Sequence, residues 1–154
     1  MNAERLLLLA EFLDSRVPAG RWNFRSVVGP EWRGGDLVSC GATACAIGWS
    51  ATIPELAAAG MRLEPDSHGY LDAEAAFRAS RAVFGITDEE CDYLFVPDED
   101  GWDEDGDPVG AWHFPDGDCN PGWRTLTSNA SARSVADRIR SFVAKGGIAM
   151  EYPS

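Results

Sequence analysis

The sequence predicts a mainly α-helical domain of about five helices, with one or two short strands and a long irregular acidic loop. Three observations lead there. Apolar residues recur at helical spacing near the N-terminus, between Leu71 and Phe84, and after Ser131. Thr87-Asp88-Glu89-Glu90 is a capping box that opens a further helix. Residues 96–124 hold nine carboxylates and three tryptophans with neither helical nor strand periodicity.

The 154 residues are expected to form one globular domain, 1–154, with 96–124 an acidic, Trp-containing loop or insertion. The composition, 45% apolar and 25% charged, is that of a soluble globular chain. A net charge of −12 opposes direct contact with nucleic-acid backbones or anionic membranes. It favours a basic protein surface, a cation, or solubility alone. Lysine occurs once, at Lys145, so the positive charge is nearly all arginine, which suits fixed bidentate contacts. The Leu6–Leu9 run is too short to span a membrane and lacks a basic leader and a cleavage site, so a cytoplasmic protein is expected. Cys40, Cys45, Cys91 and Cys119 include no C-x-x-C pair, and His68 and His113 flank no ligand pattern. Reduced thiols and no structural zinc follow.

In chain order, Asn2 caps a first helix running to about Arg16. Leu6, Leu9, Ala10 and Leu13 form its face, and Leu7, Leu8 and Phe12 widen it. Pro18 and Gly20 end it. Residues 21–39 alternate aromatics with turn formers and predict an ordered loop. From Cys40 to Ala51 a central helix is expected, with Ala44, Ile47, Gly48 and Ala51 as a stripe of small residues that lets another backbone approach. Ile53-Pro54 restarts a short helix that Gly60 stops. Met61–Pro65 predicts a short strand, followed by a turn at Asp66–Gly69. Ala76, Phe77, Ser80, Val83 and Phe84 face inward from the next helix, which Gly85 closes. Ile86 and Cys91 are placed as a hydrophobic staple around the capping box, which assigns Cys91 to the core beside Leu94 and Phe95. In the last helix Val135, Ile139, Phe142 and Val143 make the stripe, with Arg133, Asp137, Arg138 and Arg140 off it. Gly146-Gly147 ends it, and Ile148–Tyr152 predicts an edge strand.

The order of these pieces resembles a family of small bacterial and bacteriophage proteins of unknown function. The residues that carry the likeness are the Leu-rich first helix, the Trp22-Asn23-Phe24 stretch, and Cys40–Ala51. The family pattern in that last stretch is Cys-Gly-Thr-x-x-Cys-x-x-Gly-Trp/His-Ala, with Ala42 here in place of Thr. Ile53-Pro54-Glu55, Gly60–Leu63, Phe84–Thr87 with Tyr93-Leu94-Phe95, and Val135–Arg140 complete it. The resemblance covers most of the chain except the acidic loop. It implies a phage or accessory-genome setting, in which small proteins often bind and inhibit larger ones, and it implies no activity.

Four constellations have chemical potential. Cys40, at the start of the expected central helix, gains a lowered thiol pKa from the helix dipole. It would serve a cysteine-dependent enzyme if His68 or His113 came near as base. Pairing of Cys40 with Cys45 is disfavoured by helical geometry. Asp103, Asp105 and Asp107 alternate as in some calcium loops, but the EF-hand register places Gly101 first and Trp112 twelfth, so only a non-EF site is compatible. The same loop offers a binding surface for a basic partner: Asp98, Asp100, Trp102, Asp103, Asp105, Asp107 and Trp112 combine anchors with steering charge, a pattern open to nucleic-acid mimicry. Arg78, Arg81, Arg133, Arg138 and Arg140 are the donors for an anionic, nucleotide-like ligand, without a Gly-rich phosphate loop. The expected function is a non-enzymatic binding module, an inhibitor or adaptor. The alternatives are a thiol enzyme and a nucleotide sponge.

Overall fold

The computed structural model describes residues 1–24, 26–96 and 130–147. The described chain is mainly helical: α1 (Ala3–Ser15), α2 (Leu37–Cys40), α3 (Ala46–Ser50), α4 (Pro54–Ala58), α5 (Ala73–Phe84), α6 (Asp88–Phe95) and α7 (Ala132–Ala144). Two short helices, α2 and α3, stand where one central helix was expected, and α4 is the short helix restarted at Pro54. Among the described residues strand pairing is reduced to three isolated bridges, Trp22 with Ala44, Val28 with Ala44, and Pro65 with Leu71. The strand expected at Met61–Pro65 is therefore one bridge closing the 66–70 turn, with Asp66 N donating to Tyr70 O at 2.6 Å. The edge strand expected at 148–152 lies outside the described residues.

Each long helix starts where a short polar side chain can accept a first-turn amide. Asn2 accepts from Arg5 N, Asp72 from Ala75 N, Thr87 from Glu90 N and Ser131 from Ser134 N. At Thr87 the box is reciprocal, with Glu90 accepting from the Thr87 amide at 3.0 Å. Gly85 ends α5 in the left-handed conformation at φ 63°. Pro54 occupies the first turn of α4.

The main pairing is α1 on α7. Leu6, Leu9, Ala10 and Leu13 are buried on one side, and Val135, Ala136, Ile139 and Phe142 on the other. Leu8 and Phe12 are half-buried against the same core, whereas Leu7 faces solvent. α5 and α6 close the cluster through Ala76, Val83, Phe84, Cys91, Leu94 and Phe95, with the Phe84 and Phe95 rings 5.8 Å apart. Cys91 is fully buried, as the staple requires.

A second cluster forms around Trp32, Leu37, Ala42, Ala44 and Trp49. Here the structure corrects the expected central helix. α2 ends at Cys40, Gly41 turns left-handed at φ 77°, and residues 42–44 are non-helical until α3 begins after Cys45. The reason is backbone pairing. Ala44 N donates to Arg21 O and its carbonyl accepts from Asn23 N, both at 3.0 Å, while Gly29 N donates to Thr43 O at 2.7 Å. The aromatic loop supplies the partners of these amides and carbonyls across the chain. Helix propensity in Ala42–Ala44 is overridden by this pairing.

The small residues nonetheless serve a close approach. A methyl at Gly48 would lie 2.1 Å from Val27 O and 2.7 Å from the Ala44 methyl. The backbone that comes near is that of the 21–30 loop. Gly48→Ala is expected to cost about 3 kcal/mol, or to prevent folding, because it overpacks backbone that has nowhere to move. Gly35→Ala, where an added methyl meets nothing within 4 Å, should leave the denaturation midpoint nearly unchanged. Equal midpoints for the two variants in urea titrations would contradict the packing described.

Candidate functional site

The acidic stretch enters from the end of α6 and leaves into the start of α7, so the site is built from its stem. α6 and α7 pack through Tyr93 and Phe142, whose ring centroids lie 6.3 Å apart. Arg138, only 9% exposed, lays its guanidinium 4.4 Å from the Tyr93 ring centroid. Its Nη1 donates to Tyr93 O at 2.9 Å. That carbonyl belongs to the last turn of α6, where helix geometry leaves acceptors without intrahelical donors and concentrates negative potential. On the other side, Trp22 Nε1 donates to Ala130 O at 2.8 Å, fixing the chain just before α7. Burial, opposed by the Arg138 charge, raises the Tyr93 phenol above its usual value.

Arg138 corrects the expectation that it lies off the buried stripe. It stands three residues after Val135 and four before Phe142, so the helical period itself places it inward. A stripe drawn from apolar residues alone passes over it. That spacing was the available signal.

The predicted partner-binding residues Asp98, Asp100, Trp102, Asp103, Asp105, Asp107 and Trp112 lie outside the described residues, as do His113 and Cys119. Among the described residues no three His, Cys, Asp or Glu side chains converge as metal ligands do. The calcium expectation concerns Asp103, Asp105 and Asp107, which that statement does not reach. On the exposed face of α6, Asp88, Glu89 and Asp92 bring carboxylates up to the stem. Burial, then its neighbours Asp88 and Glu89, push the Asp92 carboxyl upward, opposed by Arg81.

Cys40 is exposed, but it is the last residue of α2. The dipole argument for a reactive thiol assumed a helix N-terminus, and the opposite end is what it meets. Its Sγ lies 3.5 Å from both Leu37 O and Ala42 N. His68 sits in the 66–70 turn, its amide bonded to Asp66 Oδ1 at 2.8 Å. The candidate phosphate donors are also dispersed. Arg78 pairs with Glu74 and Arg81 with Asp88, Arg140 binds Asp14 and Asp137, Arg138 is buried, and Arg133 is exposed. Among the described residues no helix is long and apolar enough to cross a membrane.

Cys45 and Cys91 are buried thiols. Burial pushes Cys45 from the ordinary 9.0 up to about 11, and raises Cys91 against the opposing Ser80 hydroxyl 3.5 Å away. A thiol held protonated in the folded state stabilises it fully below the unfolded pKa, and loses that contribution as pH climbs through the folded one. Cys45 should therefore take on the order of 3 kcal/mol from stability between pH 9 and about 11, so Cys45→Ala makes the alkaline decline shallower and leaves the part due to Cys91 and Tyr93. A pH series of urea titrations checks it; an identical decline in the variant would reject the assignment. For the stem, Arg138→Met should cost about 2 kcal/mol by leaving the Tyr93 carbonyl without its charged donor. Arg138→Lys keeps the charge but not the planar stack, and should fall between. Wild-type midpoints for both variants would argue against the clamp.

Comparison with family models, with curated proteins and with solved structures finds no match to this chain.

Proposed function

We propose that the protein is a non-enzymatic binding module, an inhibitor or adaptor, that engages a basic protein surface through its acidic 96–124 segment. The observation that carries this reading is charge concentration. Nine carboxylates against the single Arg124 give this segment −8 of the chain's net −12. Trp102, Trp112 and Trp123 are spaced through it. Tryptophan is the residue type most often found as an interface anchor, and surrounding carboxylates raise the encounter rate with a cationic partner.

The stem supports the same reading. Tyr93, Phe142 and Arg138 hold α6 against α7, and Trp22 fixes the Ala130 carbonyl just before α7. Asp92, exposed toward the C-terminal end of α6, adds a carboxylate near the point where the segment begins. A dense row of carboxylates is also a chemical likeness of a phosphate backbone, which makes nucleic-acid-binding surfaces the natural class of basic partner. The resemblance to small phage-encoded proteins agrees with an inhibitory role. Calcium binding by Asp103, Asp105 and Asp107 stands beside this as a property of the same residues.

The test is capture of partners from a bacterial lysate by the wild type and by Trp102→Ala/Trp112→Ala, at low and moderate salt. The variant is first shown to keep the wild-type melting temperature. A partner that is lost in the variant, weakened by salt, and displaced by duplex DNA is the expected outcome. Equal capture by variant and wild type, or none at either salt, would overturn the proposal.

A further inference from the structure

Far along the chain from the acidic stem, two loops meet at the surface. Gly34 lies against Pro65, with an added methyl at 3.4 Å from the proline ring, and the Arg33 side chain crosses over to Tyr70. The Arg33 guanidinium sits 4.3 Å from the centroid of the Tyr70 ring. Tyr70 is 52% exposed, and Arg33 is exposed as well. Arg33 Nη1 donates to Trp32 O at 3.0 Å and also to Pro30 O. One nitrogen is thereby fixed by two carbonyls and the plane by an aromatic face. The other edge, Nε–H and Nη2–H, points to no acceptor among the described residues.

That edge presents two parallel donors at the spacing of a carboxylate's two oxygens. The neighbouring acids do not take it. Asp36 accepts from Val38 N and the Ser39 hydroxyl, Asp66 accepts from the His68 and Tyr70 amides, and Glu64 pairs with Arg62. We propose that Arg33 and Tyr70 form a surface subsite for a peptide carboxylate, with the half-exposed tyrosine ring packing the apolar group beside it. The guanidinium is ordered before binding, so less side-chain entropy is lost per bond formed. A single carboxylate fits better than a phosphate dianion, because Glu31, Asp36, Glu64 and Asp66 lie on the same two loops and repel the second charge. The subsite does not depend on the acidic segment.

The probe is N-acetyl-phenylalanine, a carboxylate beside an aromatic group, titrated into the full chain at constant ionic strength. The readout is the arginine Nε–H resonance in nitrogen-15 spectra, assigned to Arg33 by its loss in Arg33→Lys. N-acetyl-phenylalaninamide, phenyl phosphate and chloride are the controls. A saturable shift with the carboxylate and none with the amide is expected. Binding followed on the backbone amides of residues 33–36 and 68–71 should weaken about tenfold in Arg33→Lys and fall also in Tyr70→Ala. No saturable shift in the wild type, undiminished binding in Arg33→Lys, or binding of phenyl phosphate or chloride as tight as that of the carboxylate would overturn the proposal.

Discussion

The fold depends on backbone carbonyls at helix ends being met by arginines from distant parts of the chain. A helix leaves its last carbonyls without donors, and a buried carbonyl without a donor costs about 1–3 kcal/mol. Arg5 Nη1 donates to Val83 O in the last turn of α5, across 78 residues of sequence. Arg138 Nη1 donates to Tyr93 O in the last turn of α6, across 45. Arg21 reaches α2, with Nη2 on Leu37 O at 2.6 Å and Nε on Ala42 O at 2.7 Å. Neither α2 nor α6 carries a basic residue in its own last turn. Each bond neutralises a helix dipole and joins two elements at once. Lysine has one compact donor group and could not make the Arg21 set.

Arg21 shows how this device organises the least regular part of the molecule. Its guanidinium lies 5.2 Å from the Trp49 ring centroid, and its carbonyl accepts from both Ala44 N and Trp49 Nε1. One residue therefore ties the 21–30 loop, α2 and α3 together. The remaining constraint is steric. Val27 O sits so close over Gly48 that no side chain fits between them. Buried irregular backbone is tolerated only when its polar groups are paired, and here loop amides, carbonyls and one arginine pair them without a regular sheet.

What was legible in the sequence follows from the range of each interaction. Caps at Asn2, Thr87 and Ser131, the stop at Gly85 and most of the inward faces of α1, α5 and α7 are local and appear where spacing predicts them, although Leu7 is exposed and Phe77 and Val143 are only half-buried. The broken stretch from Leu37 to Ser50 was not legible, because its conformation is decided by Arg21, Asn23 and Val27, which leave no periodic mark within it. Arg138 was half-legible. Its position on the stripe is set by the helical period, but its burial needs the Tyr93 ring and carbonyl, 45 residues away. Of the candidate sites, Cys40 lost its helix-dipole argument for the same reason that the central helix broke at Gly41.

The stem also explains why a long acidic connection between α6 and α7 is compatible with a stable fold. Residues 96–131 separate the two helices. Lengthening a connection from about four residues to that span is roughly three doublings, and a wholly unstructured chain would pay about 2 kcal/mol for it. A charge-assisted bond from Arg138 to the Tyr93 carbonyl is worth about 1.5–3 kcal/mol, and the Tyr93–Phe142 contact adds to it. The two sums are comparable, so the clamp offsets the closure entropy of a connection of this length. In the function proposed above, the nine carboxylates and three tryptophans of 96–124 serve recognition of a cationic surface.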